Sequence, residues 1–170
     1  MSETVPTTAA RTRTVEWQDP APALAAAPGM TGLEFMRAVW AGEVPPPPIS
    51  ALLRMQGTNA DEGTVTFRCD PDESMLNPLG TVHGGVICTV LDSAIGCAVH
   101  TTLPAGVTYT SIDLNVSYLR SPKPGAVLEA VGTVTKPGRR VAFGAAELRD
   151  DEDRLIATAT GSCLVMDLRG

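Results

Sequence analysis

One segment restricts the possible folds more than any other. Val86 to Val99 is apolar at most positions, lacks proline, is preceded by Gly84-Gly85, and carries a single carboxylate, Asp92. Its length suits a helix of about four turns. The chain that follows has a different texture. Thr108 to Leu119, Ala126 to Thr135, Val141 to Leu148 and Leu155 to Val165 read as strands, and Thr64 to Cys69 is a further alternating run before the helix. Hairpin formers separate the later runs: Ser121-Pro122-Lys123-Pro124-Gly125, Lys136-Pro137-Gly138-Arg139, and Asp150 to Asp153. Strands this long need more cover than short elements provide. A twisted antiparallel sheet of about five to six strands, curled around one central apolar helix, buries both partners. The fold class is therefore α+β.

Upstream, residues 1–30 mix Thr, Ala, Pro and scattered charge without periodicity, which predicts a flexible arm or one laid over another surface. Residues 31–55 are expected to hold short helices. Thr31 and Glu34 form a capping box ahead of Leu33, Met36, Arg37 and Trp40, and the run Pro45 to Pro48 is a stiff connector whose last ring can start another helix. Residues 56–170 then form the main domain.

With 170 residues, 44% of them apolar, the chain can bury one sizeable core. A net charge of −6 with no basic block argues against nucleic acid or an anionic membrane as partner. The four cysteines form no CxxC pair and read as reduced and structural, and the first ten residues lack the basic start and apolar run of a signal peptide. A cytoplasmic protein is expected. No metal site is predicted, because the two histidines, His83 and His100, have no second ligand at suitable spacing.

On a helical wheel Val86, Val90, Leu91, Ala94, Ile95 and Ala98 form a face for the sheet, while Gly85, Cys88, Thr89, Asp92 and Gly96 share a stripe of mostly small residues. Such a stripe invites close approach by a ligand or another backbone. The bare amides of the helix N-terminus suit an oxyanion, and Asp92 needs a reason to sit in an apolar helix. Together they suggest acyl chemistry. Gly84 and Asp92 are separated by roughly 12 Å along one helix, too far to serve the same carbonyl. Two antiparallel copies would set the amides of one beside the acid of the other, so a homodimer is the expected catalytic unit.

Asn77-x-x-Gly80-x-x-His83-Gly84-Gly85, with Asp92 nine residues after the His, resembles the active-site signature of hotdog-fold acyl-CoA thioesterases of the phenylacetate-pathway (PaaI-like) type. The likeness extends to Tyr109-Thr110-Ser111-Ile112-Asp113-Leu114-Asn115-Val116-Ser117-Tyr118 and to Gly138-Arg139-Arg140-Val141. It implies the hotdog fold with an N-terminal helical extension, an acyl-CoA substrate whose coenzyme A needs no separate cofactor, and a dimer that can pair into a tetramer. It also implies roles. The Gly84 amide polarises the thioester carbonyl, Asp92 activates water or attacks directly, Asn77 positions nucleophile or substrate, and Ser111 supports the water. Gly85 belongs to the substrate-binding loop. His83 is either a general acid/base or, as we favour, a group that orders the loop. Arg139 and Arg140 are candidates for the coenzyme A phosphates. Hydration or dehydration of an acyl-CoA, with His83 and Asp92 as acid/base pair, and a non-catalytic acyl-CoA-binding module are the alternative readings. The acyl group is not legible, although Met75, Leu76, Tyr109 and the helix around Trp40 are candidates to border its chamber.

Overall fold

The computed structural model describes residues 9–123 and 125–168, so residues 1–8 of the arm, Pro124 and the last two residues lie outside it. The elements run α1 (Ala21–Ala26), α2 (Gly32–Trp40), α3 (Pro48–Leu53), β1 (Met55–Asp61), β2 (Thr64–Cys69), α4 (Gly84–His100), β3 (Val107–Tyr118), β4 (Leu128–Lys136), β5 (Val141–Asp150) and β6 (Leu155–Asp167). Six strands form one antiparallel sheet in the order β1-β2-β4-β5-β6-β3, so β3 pairs with β6 and the segment 121–125, expected as a hairpin, instead belongs to a crossover connection from β3 to β4. This is the hotdog fold, with β1 and β3 on the two edges.

α4 forms because its apolar residues recur at helical spacing, and it lies inside the curl of the sheet in contact with β2 through β6. Ile87, Val90, Leu91, Ala94, Ile95, Ala98 and Val99 are buried against it. The buried face is thus turned slightly from the wheel reading: Ile87 and Val99 join it, while Val86 is only half-buried. The sheet's inner row answers with small residues, among them Ala130, Ala146 and Ala159, which let the helix come close. Leu128, Leu148 and Ile156 fill the end of the core.

The helical extension packs onto the domain. The Thr31–Glu34 capping box starts α2, the Gly32 amide donates to the Leu103 carbonyl, and Phe35 meets His100 with ring centroids 5.7 Å apart. Ahead of it, Arg13 donates to Asp72, Ser74 and the Leu52 carbonyl, and Arg11 pairs with Glu73. The described part of the arm therefore lies over the segment that leads into Asn77. Among the described residues, no helix is long and apolar enough to cross a membrane.

Candidate active site

The loop before α4 is shaped by Asn77. Its Oδ1 accepts from the amides of Leu79 (2.9 Å) and Thr81 (3.2 Å), and its Nδ2 donates to Thr81 Oγ1 at 2.9 Å. An Asx turn of this kind occupies the side chain locally. His83 caps the helix, accepting from the Gly85 amide at Nδ1 over 2.9 Å, so its neutral ring carries the proton on Nε2. With Gly85 occupied, the Gly84 amide is left as an open donor, having no acceptor among the described residues. The Gly84 carbonyl accepts from the Tyr118 hydroxyl at 3.0 Å. A cleft of about 350 Å³ opens here, bordered by Asn77, Thr81, Gly84, Tyr118 and Arg120.

Asp92 lies midway along α4, half-buried. Ser111 Oγ donates to its Oδ1 at 2.8 Å, and Oδ2 has no hydrogen-bond partner among the described residues. A bulge in β3 aims the serine. The register against β6 slips between Ser111 and Asp113, leaving Ile112 as the extra residue. Residues two apart normally share a face, but across the bulge Ser111 turns toward α4 and Asp113 accepts instead from Ser162. Two thiols nearby stay protonated. Burial pushes Cys97 up to about 12 and Cys163 up to about 11, and the Asp92 charge adds to both. Neither is a thiolate nucleophile at neutral pH.

The small stripe on α4 is only partly open. Its Gly96 is covered by Tyr109 of the same chain, so the close approach expected there is intramolecular. Tyr109 is thereby a packing residue, with burial raising its hydroxyl well above the ordinary value. Met75 is core, and Trp40 lines a cavity against α3 and β1. Arg139 borders a different cavity, with Thr102, Leu103 and Met166, beyond the C-terminal end of α4. That end is roughly 25 Å from Gly84 along the helix, so one chain does not bring Arg139 or its exposed neighbour Arg140 to Gly84 and Gly85. At the Gly84 cleft, Arg120 escaped the sequence reading and Tyr118 entered it only as the last residue of the Tyr109–Tyr118 likeness, without a role. Tyr118 ends β3 and Arg120 lies two residues beyond it, and neither spacing nor composition distinguishes them from ordinary exposed residues. Among the described residues no cluster of His, Cys, Asp or Glu is placed to hold a metal ion.

Comparison with known proteins gives this geometry its context. A profile of the thioesterase superfamily matches residues 79–157, from the Asn77 loop into β6. A protein of Halobacterium salinarum named as an esterase is 33% identical over 113 residues, covering 61% of this chain and 75% of that protein. Mouse acyl-coenzyme A thioesterase 13 is 32% identical over 77 residues, 45% of this chain, which spans about half (54%) of the mouse protein. Among solved structures, a phenylacetic acid degradation-related protein of Ralstonia eutropha JMP134 named as a thioesterase superposes with a TM-score of 0.71 at 30% identity, covering 76% of this chain and 98% of that one. By sequence and by fold alike, the chain belongs to the thioesterase superfamily, a family of thioester hydrolases, on its PaaI-like branch.

Proposed function

We propose that the protein hydrolyses acyl-CoA thioesters to a free acid and coenzyme A, at sites shared between two chains. The observation that carries this reading is Asp92, a lone acid in an apolar helix, oriented by Ser111 through one oxygen with the other left free. Oδ2 takes a proton from water as the water oxygen bonds to the thioester carbon. The carbonyl oxygen gains negative charge facing the open Gly84 amide of the partner chain, where the helix N-terminus favours an anion. The carbon–sulfur bond then breaks. Its electrons leave on a thiolate whose conjugate acid has a pKa of roughly 8.5, so the departing group needs little acid assistance. No cofactor enters this reaction.

His83 orders the loop in this scheme, and Asn77 holds the turn that presents Gly84. A hydratase would use His83 and Asp92 as its acid/base pair, and it would consume acyl-CoA without releasing thiol. Four free cysteines fit a reducing, cytoplasmic setting.

Asp92→Ala is expected to lower kcat by about 100- to 10,000-fold, the range of a lost general base, with the fold retained. Release of free thiol from acyl-CoAs, followed with a disulfide reagent, measures it. Unchanged thiol release by a correctly folded Asp92→Ala protein would remove the basis for the assignment, as would acyl-CoA consumption by the parent protein without thiol release.

A further inference from the structure

A cavity of about 630 Å³ lies between the helical extension, β1 and the flank of α4. Its walls include Met36, Val39 and Trp40 of α2, Met55 of β1 and Phe67 of β2, and it reaches α4 at Ser93 and Cys97. This volume is within the range of small-molecule pockets, about 300–1,000 Å³. The walls outside α4 lie upstream of residue 79, where the superfamily profile begins, so the matched segment does not account for them.

The chamber is built rather than left over from loose packing. Trp40 rests directly on Gly57, where a Cβ would lie 1.6 Å from the indole Nε1, and it meets Phe67 edge-on at 5.9 Å and 82°. The missing side chain at Gly57 makes room for the indole, and Phe67 fixes its tilt. A rigid apolar wall results on this side, while Arg54, Gln56 and Asp70 add polar groups elsewhere in the lining.

Its position relates it to the reacting carboxylate. Ser93 follows Asp92 directly, about 100° further round α4, and Cys97 lies at about 140°. On a helix about 10–12 Å wide, that separation is on the order of 8–10 Å. Resting on the thioesterase reading, we infer that this chamber receives the distal part of a straight aliphatic acyl chain whose thioester lies at Asp92. At roughly 1.25 Å per bond along an extended chain, acetyl and butanoyl groups end short of it and chains of about eight carbons or more enter. Ala51 of α3, which also lines the chamber, faces the arriving tail from the extension side.

Two experiments test this, one with turnover and one without. Across acyl-CoAs from butanoyl to dodecanoyl, kcat/KM is expected to be flat at first and then to rise by about two- to fourfold per methylene once the chain reaches the chamber. Ala51→Phe should lower the dodecanoyl-to-butanoyl ratio of kcat/KM at least tenfold. The second experiment uses the protein's two tryptophans, Trp17 and Trp40. Trp17 is 63% exposed, and Trp17→Phe leaves Trp40 as the sole indole. Bromododecanoic acid below its micellar concentration should quench Trp40 saturably, and Ala51→Phe should weaken that quenching at least tenfold. Saturable, variant-sensitive quenching without hydrolysis of any thioester would retain the chamber and defeat the thioesterase reading. Thioester hydrolysis with no saturable quenching, or with a chain-length ratio that Ala51→Phe leaves unchanged, would overturn the chamber and retain the reaction.

Discussion

A methyl group on Gly96 would lie 2.5 Å from Tyr109 Cε2 and 2.7 Å from its hydroxyl, closer than either atom can accept. The ring has little room to yield, because it also touches His100 at a centroid separation of 5.6 Å and approaches Cys97 Sγ through its hydroxyl at 3.9 Å. Gly96→Ala raises helix propensity by about 1 kcal/mol, but overpacking here should cost about 1–3 kcal/mol and leave the variant no more stable than the parent, or less. In a Tyr109→Leu background the same substitution should lose its penalty. Denaturant unfolding of the four proteins as a double-mutant cycle gives the coupling, and additivity within error would show that the ring is not what demands glycine. The sequence reveals part of this. A glycine inside a buried helix calls for an explanation, and the small stripe indicates close approach. The identity of the approaching group is not readable, since Tyr109 comes from a strand whose lateral placement depends on the whole sheet.

Elements with strong periodicity are legible and those without it are not. α4, β2 and β3 through β6 follow from apolar spacing and turn chemistry, and α2 from its capping box. β1 escaped because Gln56-Gly57-Thr58-Asn59 has no apolar alternation, lies on an edge, and shifts register between Gly57 and Asn59. α1 has no buried residue to generate a pattern. The arm is a similar case: its seat on the domain is made by charge, which leaves no periodic mark. The Ser74 hydroxyl, and after it the Arg13 guanidinium, hold Asp72 down to about 2 from an ordinary 3.8. A carboxylate with a depressed native pKa stabilises the native state fully above its unfolded value and loses that contribution as pH falls through the native one. Arg13→Ala should therefore reduce stability modestly near neutrality, by about 1 kcal/mol or less for a partly exposed pair, and should expose the arm to trypsin at Arg11. The difference in thermal stability from the parent should begin to shrink below pH 4 and lose most of its Asp72-dependent part by pH 2, leaving what Arg13 owes to its bond with the Leu52 carbonyl. A difference that persisted unchanged at pH 2 would mean that Arg13 acts through something other than Asp72.

For the molecule as a whole, the decisive question is which chain supplies each half of the reaction centre. The open amide at Gly84 and the acid at Asp92 sit on one rigid rod, roughly 12 Å apart, so neither bending nor side-chain rotation can bring them onto one carbonyl. β3 runs along a sheet edge with its outer backbone available for pairing, a feature that proteins tend to cover. Two copies related by a two-fold axis there would set their α4 helices antiparallel and create two composite sites. Gly84→Pro removes the donor amide at the first helical position, where proline is tolerated. Asp92→Ala removes the proposed base. Each variant alone should be nearly inactive. A mixed dimer would contain one site with both groups and one with neither, so random exchange at equal amounts should restore about a quarter of parental activity. Exchange itself can be followed by native mass spectrometry of tagged chains. Mixed dimers that form and remain inactive would mean that each chain works alone, and the oxyanion donor would then have to be sought near Asp92 on the same chain.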